Sequence, residues 1–191
     1  MPISRAPVLR FAFLLTLMNP AMAADPVLPV TFDLGRPVTS DEIAAWDIDV
    51  RPDGAGLPEG RGSVQQGEQI YREKCIACHG ENGTGGPFDA LVGRLPEDAF
   101  TFAFDPGAVK TIGNYWPYAT TLYDYINRAM PHNAPGSLGD DEVYALVAYL
   151  LHENDIVPAD TVLSADNLAT IAMPARHRFV PDNRRGGPEV R

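Results

Sequence analysis

Cysteine, basic residues and long apolar runs are all scarce in this 191-residue sequence. It has 15 Lys and Arg against 25 Asp and Glu, a formal net charge of −10, and no basic run. An acidic chain without a basic patch is poorly suited to bind nucleic acid or anionic lipid, so neither is expected as a partner. Only two cysteines are present, while 45% of the residues are hydrophobic. A chain of this length can therefore build its core without disulfides, and the two cysteines need a chemical explanation.

The most apolar run lies near the N-terminus and is too short to span a membrane. Residues 11–18 follow Arg5 and Arg10 and precede Ala21-Met22-Ala23, which is the pattern of a secretion signal with its cleavage site. A spanning helix needs about 20 apolar residues. We therefore expect 1–23 to be a cleaved signal peptide. Without its two arginines, the exported chain carries a charge of −12 and no membrane span.

Composition divides the expected mature chain into three parts. Proline and glycine are frequent in 24–62, helical periodicity dominates 63–154, and 155–191 is polar again. Apolar residues spaced three and four apart predict three helices in the middle part. These helices are 64–76, 120–129 and 140–154. Because no set of alternating strands competes with them, the expected fold class is all-α, with irregular N- and C-terminal extensions.

Local signals predict where helices begin and which residues of the extensions are buried. Thr39 and Glu42 form a capping-box pattern that opens a short helix in the N-terminal extension, and Thr121 and Asp124 have the same relation in the second predicted helix. Both extensions contain large apolar side chains, which would favour association if they were exposed. We therefore expect Trp46 to pack on the core and parts of both extensions to contact a partner.

The two cysteines belong to the motif Cys75-Ile76-Ala77-Cys78-His79. This C-x-x-C-H spacing puts two thiols one helical turn apart, where they can add to the two vinyl groups of haem, and it holds the next imidazole beneath the iron. A thioredoxin-like dithiol would need a βαβ context, and a zinc site would need a further ligand. A disulfide would leave His79 without a role. We therefore predict one covalent haem c on Cys75 and Cys78, with His79 as an iron ligand.

The second axial ligand is expected to be a methionine. A haem that only transfers electrons usually has a second axial ligand, and a thioether in that position raises the reduction potential of the haem. Outside the signal peptide only Met130 and Met173 are available, and each precedes a proline, which favours extended backbone. Met130, between the second and third predicted helices, is preferred. The alternatives are Met173, one of His132, His152 and His177, or an open site.

The order of these elements resembles the class I cytochromes c. The matching features, in chain order, are the helix leading into the haem motif and Gly80, then Gly86-Pro87, Leu91-Val92-Gly93, Met130-Pro131 and a last helix with Ala145, Tyr149 and Leu150. The resemblance implies a helical fold around one haem, whose first and last helices cross at Gly67, Tyr71 and Tyr149. It also implies that the carbonyl of Pro87 binds Nδ1 of His79, which would fix the ring.

The flanking segments look like those of the cytochrome subunits of periplasmic sulfite and sulfur dehydrogenases. The similar segments are 34–37, 43–48, 52–60, 115–122 and 173–174. In that family, a molybdenum subunit oxidises sulfite or bound sulfane sulfur and passes electrons to the cytochrome. The cytochrome of the Sox-type sulfur dehydrogenase carries two haems, whereas this sequence has a single C-x-x-C-H motif. The resemblance therefore points to a monohaem relative.

These features predict an electron-transfer protein rather than an enzyme. A saturated iron needs no acid, base or substrate pocket, and the haem uses both cysteines, which leaves no thiolate for iron or molybdenum. The expected protein is a periplasmic monohaem cytochrome that accepts single electrons from a molybdenum sulfite or sulfur dehydrogenase subunit and passes them to a downstream cytochrome or oxidase. The alternatives are a haem enzyme with an open or exchangeable distal site, peroxidase-like or thiosulfate-oxidising, and a carrier for an unrelated dehydrogenase.

Overall fold

The computed structural model describes residues 34–96 and 99–180. Contacts divide the chain into two units, 1–38 and 39–191. The first unit is described only at 34–38, so the fold below is that of the second. The predicted signal peptide lies outside the described residues.

The second unit is mostly helical, as the all-α prediction requires. Its elements in chain order are α1 (Ser40–Ala44), β1 (Arg61–Ser63), α2 (Val64–Lys74), α3 (Ile76–His79), α4 (Ala119–Ala129), α5 (Asp140–Glu153) and β2 (Val162–Ser164), followed by 3₁₀ turns at Leu168–Thr170 and Arg176–Arg178. All three predicted helices are present. Within residues 34–96 and 99–180, no helix is long and apolar enough to cross a bilayer.

The core is centred on the crossing of α2 and α5. All residues from 143 to 151 in α5 are buried. A Cβ at Gly67 would overlap the carbonyl oxygen of Ala145, so the two backbones approach closely only because this position is glycine. The rings of Tyr71 and Tyr149 pack with centroids 5.1 Å apart. The crossing at these three residues is therefore confirmed.

Both extensions contribute to this core, and a two-stranded sheet joins them. β1 and β2 pair antiparallel, with Gly62 opposite Leu163. From the N-terminal extension Val50 is buried in the core, and from the C-terminal extension Leu163, Leu168 and Met173 are buried. Val50 and the described C-terminal extension are therefore built into the fold.

The short helix of the N-terminal extension forms as predicted, but Trp46 does not pack on the core. The Thr39 hydroxyl accepts a hydrogen bond from the Glu42 amide at 3.3 Å, and the Glu42 carboxylate accepts one from the Thr39 amide at 2.9 Å. None of the residues of α1 is buried. Trp46, two residues after α1, is 87% exposed. Its expected core packing was wrong because the chain between α1 and Val50 does not turn back onto the core.

The capping signal predicted for α4 was also wrong. The helix begins at Ala119, so Thr121 lies inside its first turn, and its N-cap makes no side-chain hydrogen bond. Asp124 has another use, because its Oδ1 accepts a hydrogen bond from the amide of Val50 at 2.9 Å. Its Oδ2 lies 2.7 Å from a guanidinium nitrogen of Arg128. The acidic residue thus ties the N-terminal extension to α4.

Candidate haem site

The C-x-x-C-H motif folds into a single helical turn. The amides of Cys78 and His79 both donate to the carbonyl of Cys75, at 3.1 and 3.0 Å. Cys75 is half-buried at the junction of α2 and α3, Cys78 is exposed, and neither is in a disulfide. Cys75, at the N-cap of α3, and Cys78 and His79 within α3 therefore lie on one helical turn.

Burial affects the chemistry of the first cysteine. Desolvation raises the pKa of the Cys75 thiol to about 11, against a smaller lowering by Lys74. The group is therefore a protonated thiol at neutral pH. The raised pKa lowers the thiolate fraction of Cys75 and so slows its attack on a disulfide.

A tight glycine turn follows the motif. Gly80 has a positive φ of 82°, and its carbonyl accepts a hydrogen bond from the hydroxyl of Tyr71 at 2.9 Å. A Cβ at Gly86 would overlap the carbonyl oxygen of Cys78. The chain can therefore return against the end of α3 only with glycine at this position.

The returning loop holds the imidazole of His79. Its Nδ1 lies 2.9 Å from the carbonyl oxygen of Asp89. The hydrogen bond that the resemblance implied for Pro87 is thus made two residues later. The Phe88 amide donates to the Cys78 carbonyl at 3.1 Å. This bond holds the loop against the end of α3, where the carbonyl of Asp89 reaches the ring of His79. With Nδ1 protonated and bonded, Nε2 is the nitrogen available to a metal.

The candidate distal residues have different environments. Met130 ends α4 in extended backbone, with φ −122° and ψ 147° as its following proline predicts, and it is half-buried against the core. Met173 is only 4% exposed and belongs to the core itself. His132 and His177 are exposed, while His152 is half-buried and its Nδ1 lies 3.1 Å from a backbone carbonyl.

Several apolar side chains at the edge of the core are only half-buried. Ile76, Leu91, Trp116 and Met130 pack against the core with part of their surface uncovered. Trp116 meets Tyr125 edge-on with centroids 5.7 Å apart. Such a surface suits a flat apolar ring system, and the two thiols, the imidazole and a thioether suit its attachment and ligation. These residues therefore fit a haem.

A bare metal ion fits less well. Among residues 34–96 and 99–180, no three His, Cys, Asp or Glu side chains lie together as a metal site. His79 would therefore need donors that come with the metal, as the nitrogens of a porphyrin do.

Comparisons with known proteins agree with this fit. Residues 62–150 match the family described as "Cytochrome C oxidase, cbb3-type, subunit III". The chain is 28% identical over 99 residues to a thiosulfate dehydrogenase of Stutzerimonas stutzeri (strain A1501), an alignment that covers 49% of this chain and 28% of that protein. It is 30% identical over 107 residues to a thiosulfate dehydrogenase of Psychrobacter arcticus, covering 54% and 31%. The matched part is less than a third of the length of these two relatives.

A solved structure matches more of the chain. A chain in the crystal structure of the sulfane dehydrogenase SoxCD from Paracoccus pantotrophus is 39% identical, with a TM-score of 0.71. The match covers 81% of this chain and 74% of that one. At this identity and coverage the likeness extends to the family as well as to the fold.

Proposed function

Since this chain belongs to the class I cytochromes c, we propose that it is a periplasmic monohaem cytochrome that carries single electrons away from a molybdenum-containing sulfite or sulfur dehydrogenase subunit. The observation that carries the proposal is the helical turn that holds Cys75, Cys78 and His79 in sequence, with the His79 ring bonded to the Asp89 carbonyl. The likeness to a chain of SoxCD supports the choice of partner.

Four side chains would hold the haem. Cys75 and Cys78 would form the thioethers, His79 would bind through Nε2, and Met130 would bind through its sulfur. Haem c supplies a one-electron couple between ferric and ferrous iron, and a thioether ligand favours the ferrous state. The Asp89 carbonyl fixes the His79 ring through Nδ1 and raises the basicity of Nε2. A single C-x-x-C-H in the sequence supports one haem.

We assign contact with the electron donor to the segment 39–49. Its helix is five residues long and buries no side chain, and a helix this short is marginal without external packing. Exposed Trp46 and Ile43 lie among four carboxylates, with no basic residue in the segment. Exposed tryptophan often dominates interface energy, and an acidic surround suits a basic partner surface. The charge of −12 expected for the exported chain would also steer encounters toward such a surface.

A second candidate function is oxidation of thiosulfate at the haem. The names of the relatives from Stutzerimonas stutzeri and Psychrobacter arcticus favour it. It requires an open or exchangeable ligand position opposite His79, because substrate must reach the iron. With both cysteines used by the haem, this position would not be filled by a thiolate.

The visible spectrum and carbon monoxide distinguish the two functions. For the electron carrier we expect a low-spin ferrous form that carbon monoxide does not change, because Met130 occupies the sixth position. A high-spin form that binds carbon monoxide would instead support the enzyme. The mass of the protein, produced in a host that attaches haem, should exceed that of the mature chain by one haem.

Rapid mixing tests the partner. The ferric protein should be reduced by the purified molybdenum dehydrogenase with sulfite, and the rate should fall as salt screens the charges. Absence of reduction would contradict the proposed donor. A rate independent of salt would contradict electrostatic steering but not the donor.

A further inference from the structure

Asn154, the C-cap residue of α5, is completely buried. Its Nδ2 donates hydrogen bonds to the carbonyls of Leu150 and Leu91, at 2.8 and 3.2 Å. Its Oδ1 accepts one from the amide of Gly93 at 3.0 Å. Both hydrogens of the side-chain amide are therefore used, and its oxygen has a partner as well. Two of the three bonds reach a loop that lies 61 and 63 residues away in the sequence.

Helix capping alone does not account for this asparagine. Asparagine is common at helix ends because it tolerates backbone with positive φ, but Asn154 has φ −94°. The positive φ of 56° belongs to Asp155. The bond to Leu150 satisfies one of the last four carbonyls of α5, which needs only one donor. The two bonds to the loop therefore indicate a further role.

The loop that Asn154 holds is also the loop that holds His79. Asp89, whose carbonyl oxygen lies 2.9 Å from Nδ1 of His79, is two residues before Leu91. On the other side of Asp89, the amide of Phe88 donates to a carbonyl of α3 at 3.1 Å. The Asp89 carbonyl thus lies between two anchored residues, and Asn154 provides part of the second anchor.

A second buried side chain supports the same segment. The hydroxyl of Thr111 donates to the carbonyl of Gly93 at 2.6 Å, and the amide of Thr111 donates to Oδ1 of Asn114 at 2.8 Å. Within the described ranges, the buried polar side chains other than tyrosine are Thr111, Asn114, Thr120 and Asn154. Three of these four belong to one network around residues 91–93. Because a fully paired buried network specifies one arrangement, this segment is held firmly in place.

We propose that Asn154 is a positioning residue for the proximal ligand of the haem, and that Thr111 supports it through Gly93. The amide of Asn154 fixes residues 91–93, and this segment fixes the Asp89 carbonyl against Nδ1 of His79. This role rests on the proposed function, because it takes His79 to be the iron ligand. A hydrogen bond at Nδ1 makes Nε2 more basic, and a more basic ligand favours ferric iron. Loosening the carbonyl should therefore raise the midpoint potential.

The experiment compares four forms of the haem-loaded protein: the wild type, Asn154→Ala, Thr111→Val and the control Tyr144→Phe. Asn154→Ala removes all three side-chain bonds, and Thr111→Val removes only the hydroxyl bond to Gly93. Tyr144 is buried in α5, and its hydroxyl donates to the carbonyl of Pro58 at 2.8 Å. Tyr144→Phe therefore loses a hydrogen bond of the same helix that does not involve the loop.

Two measurements report on His79 rather than on stability. One is the midpoint potential. The other is nitrogen NMR of the low-spin ferrous protein, which follows exchange of the Nδ1 proton of His79 with solvent; carbon monoxide is added if the sixth position is open. Urea unfolding of each variant gives its stability separately.

Both network variants should change the environment of His79. Asn154→Ala and Thr111→Val should raise the midpoint potential, and the rise should be larger for Asn154→Ala because it frees two bonds of the loop. In Asn154→Ala the Nδ1 proton should exchange about tenfold faster or more, the factor expected when two buried hydrogen bonds are lost. Tyr144→Phe should leave the potential and the exchange rate unchanged although it lowers stability.

The proposal is overturned if Asn154→Ala leaves the potential unchanged or lowers it, or if its Nδ1 proton exchanges as slowly as in the wild type. A lower potential would mean that the variant only admits water, since water favours the more positive ferric haem. If Asn154→Ala fails to fold, Thr111→Val decides by the same two criteria.

Failure of the proposed function gives a different result. A wild-type mass without haem would contradict that function. The nitrogen shifts of His79 would then still test the positioning, because the bond to Asp89 keeps the proton on Nδ1. Loss of this tautomer in Asn154→Ala would support the role of Asn154, and an unchanged tautomer would overturn it.

Discussion

Replacing each of the two methionines outside the predicted signal peptide distinguishes an iron ligand from a core residue. Met173 is 4% exposed in the core, and truncating a buried methionine to alanine costs about 2–5 kcal/mol. Met173→Ala should therefore lower the free energy of unfolding by an amount in that range and leave the iron coordination unchanged. Met130 is half-buried at the end of α4, so the packing part of its loss should be smaller. Met130→Ala should nevertheless abolish the thioether-to-iron absorption band of the ferric protein.

Leucine variants separate ligation from volume. Leucine nearly conserves the volume of methionine, and such exchanges usually cost less than about 1.5 kcal/mol. Met173→Leu should therefore be close to wild type in urea unfolding and keep the band. Met130→Leu should lose the band, lower the midpoint potential and make the ferrous form bind carbon monoxide, because the thioether that favours ferrous iron is gone.

The reverse pattern would refute the assignment. If Met173→Leu removes the band and Met130→Leu spares it, the buried sulfur is the ligand and the half-buried one only packs. If both leucine variants keep a low-spin spectrum that ignores carbon monoxide, the sixth ligand is a histidine. His132, His152 and His177 would then be replaced one at a time.

Three further predictions concern the crossing of helices, an ion pair and the exposed segment. Gly67→Ala would gain about 1 kcal/mol in helix propensity, but the new Cβ would overlap the carbonyl of Ala145. Urea unfolding should therefore show a net loss of stability, and a net gain would contradict the close crossing of α2 and α5. The hydrogen bond from Lys74 lowers the pKa of Glu142, so Glu142→Gln should destabilise the protein at pH 7 by less than about 1 kcal/mol for this partly exposed pair. That difference should be absent below the lowered pKa, because Glu142 is then protonated in both states; a difference that persists in acid would contradict the ion-pair explanation. Trp46→Ala should leave the free energy of unfolding unchanged and slow the reduction of the haem by the dehydrogenase. An unaltered reduction rate would contradict the proposed contact between Trp46 and the electron donor.

The helices and the haem motif could be read from the sequence because their signals are local. The spacing of Cys75, Cys78 and His79 is fixed within one helical turn, and the apolar stripe of α5 repeats over four turns. Met130 ends its helix as the following proline requires. Each of these features depends on residues close together in the chain, which a periodicity argument can compare directly.

The features that the sequence analysis missed depend on distant contacts. β1 and β2 are three residues each and pair across about a hundred residues, so neither strand has a pattern of its own. The choice between the carbonyls of Pro87 and Asp89 depends on the path of a glycine-rich loop, and side-chain chemistry does not determine that path. Asp124 was predicted to cap α4, but its Oδ1 accepts a hydrogen bond from the amide of Val50 in the N-terminal extension.

The C-terminal extension is part of the core rather than a tail. Leu163, Leu168 and Met173 are buried in that core. A domain of about 90 residues buries a modest share of its surface, so these three side chains matter for its stability. Ending the chain at residue 154 would remove all three together, and the shortened protein should therefore unfold at a lower urea concentration than the full chain. A shortened protein that is as stable as the full chain would contradict this role of the extension.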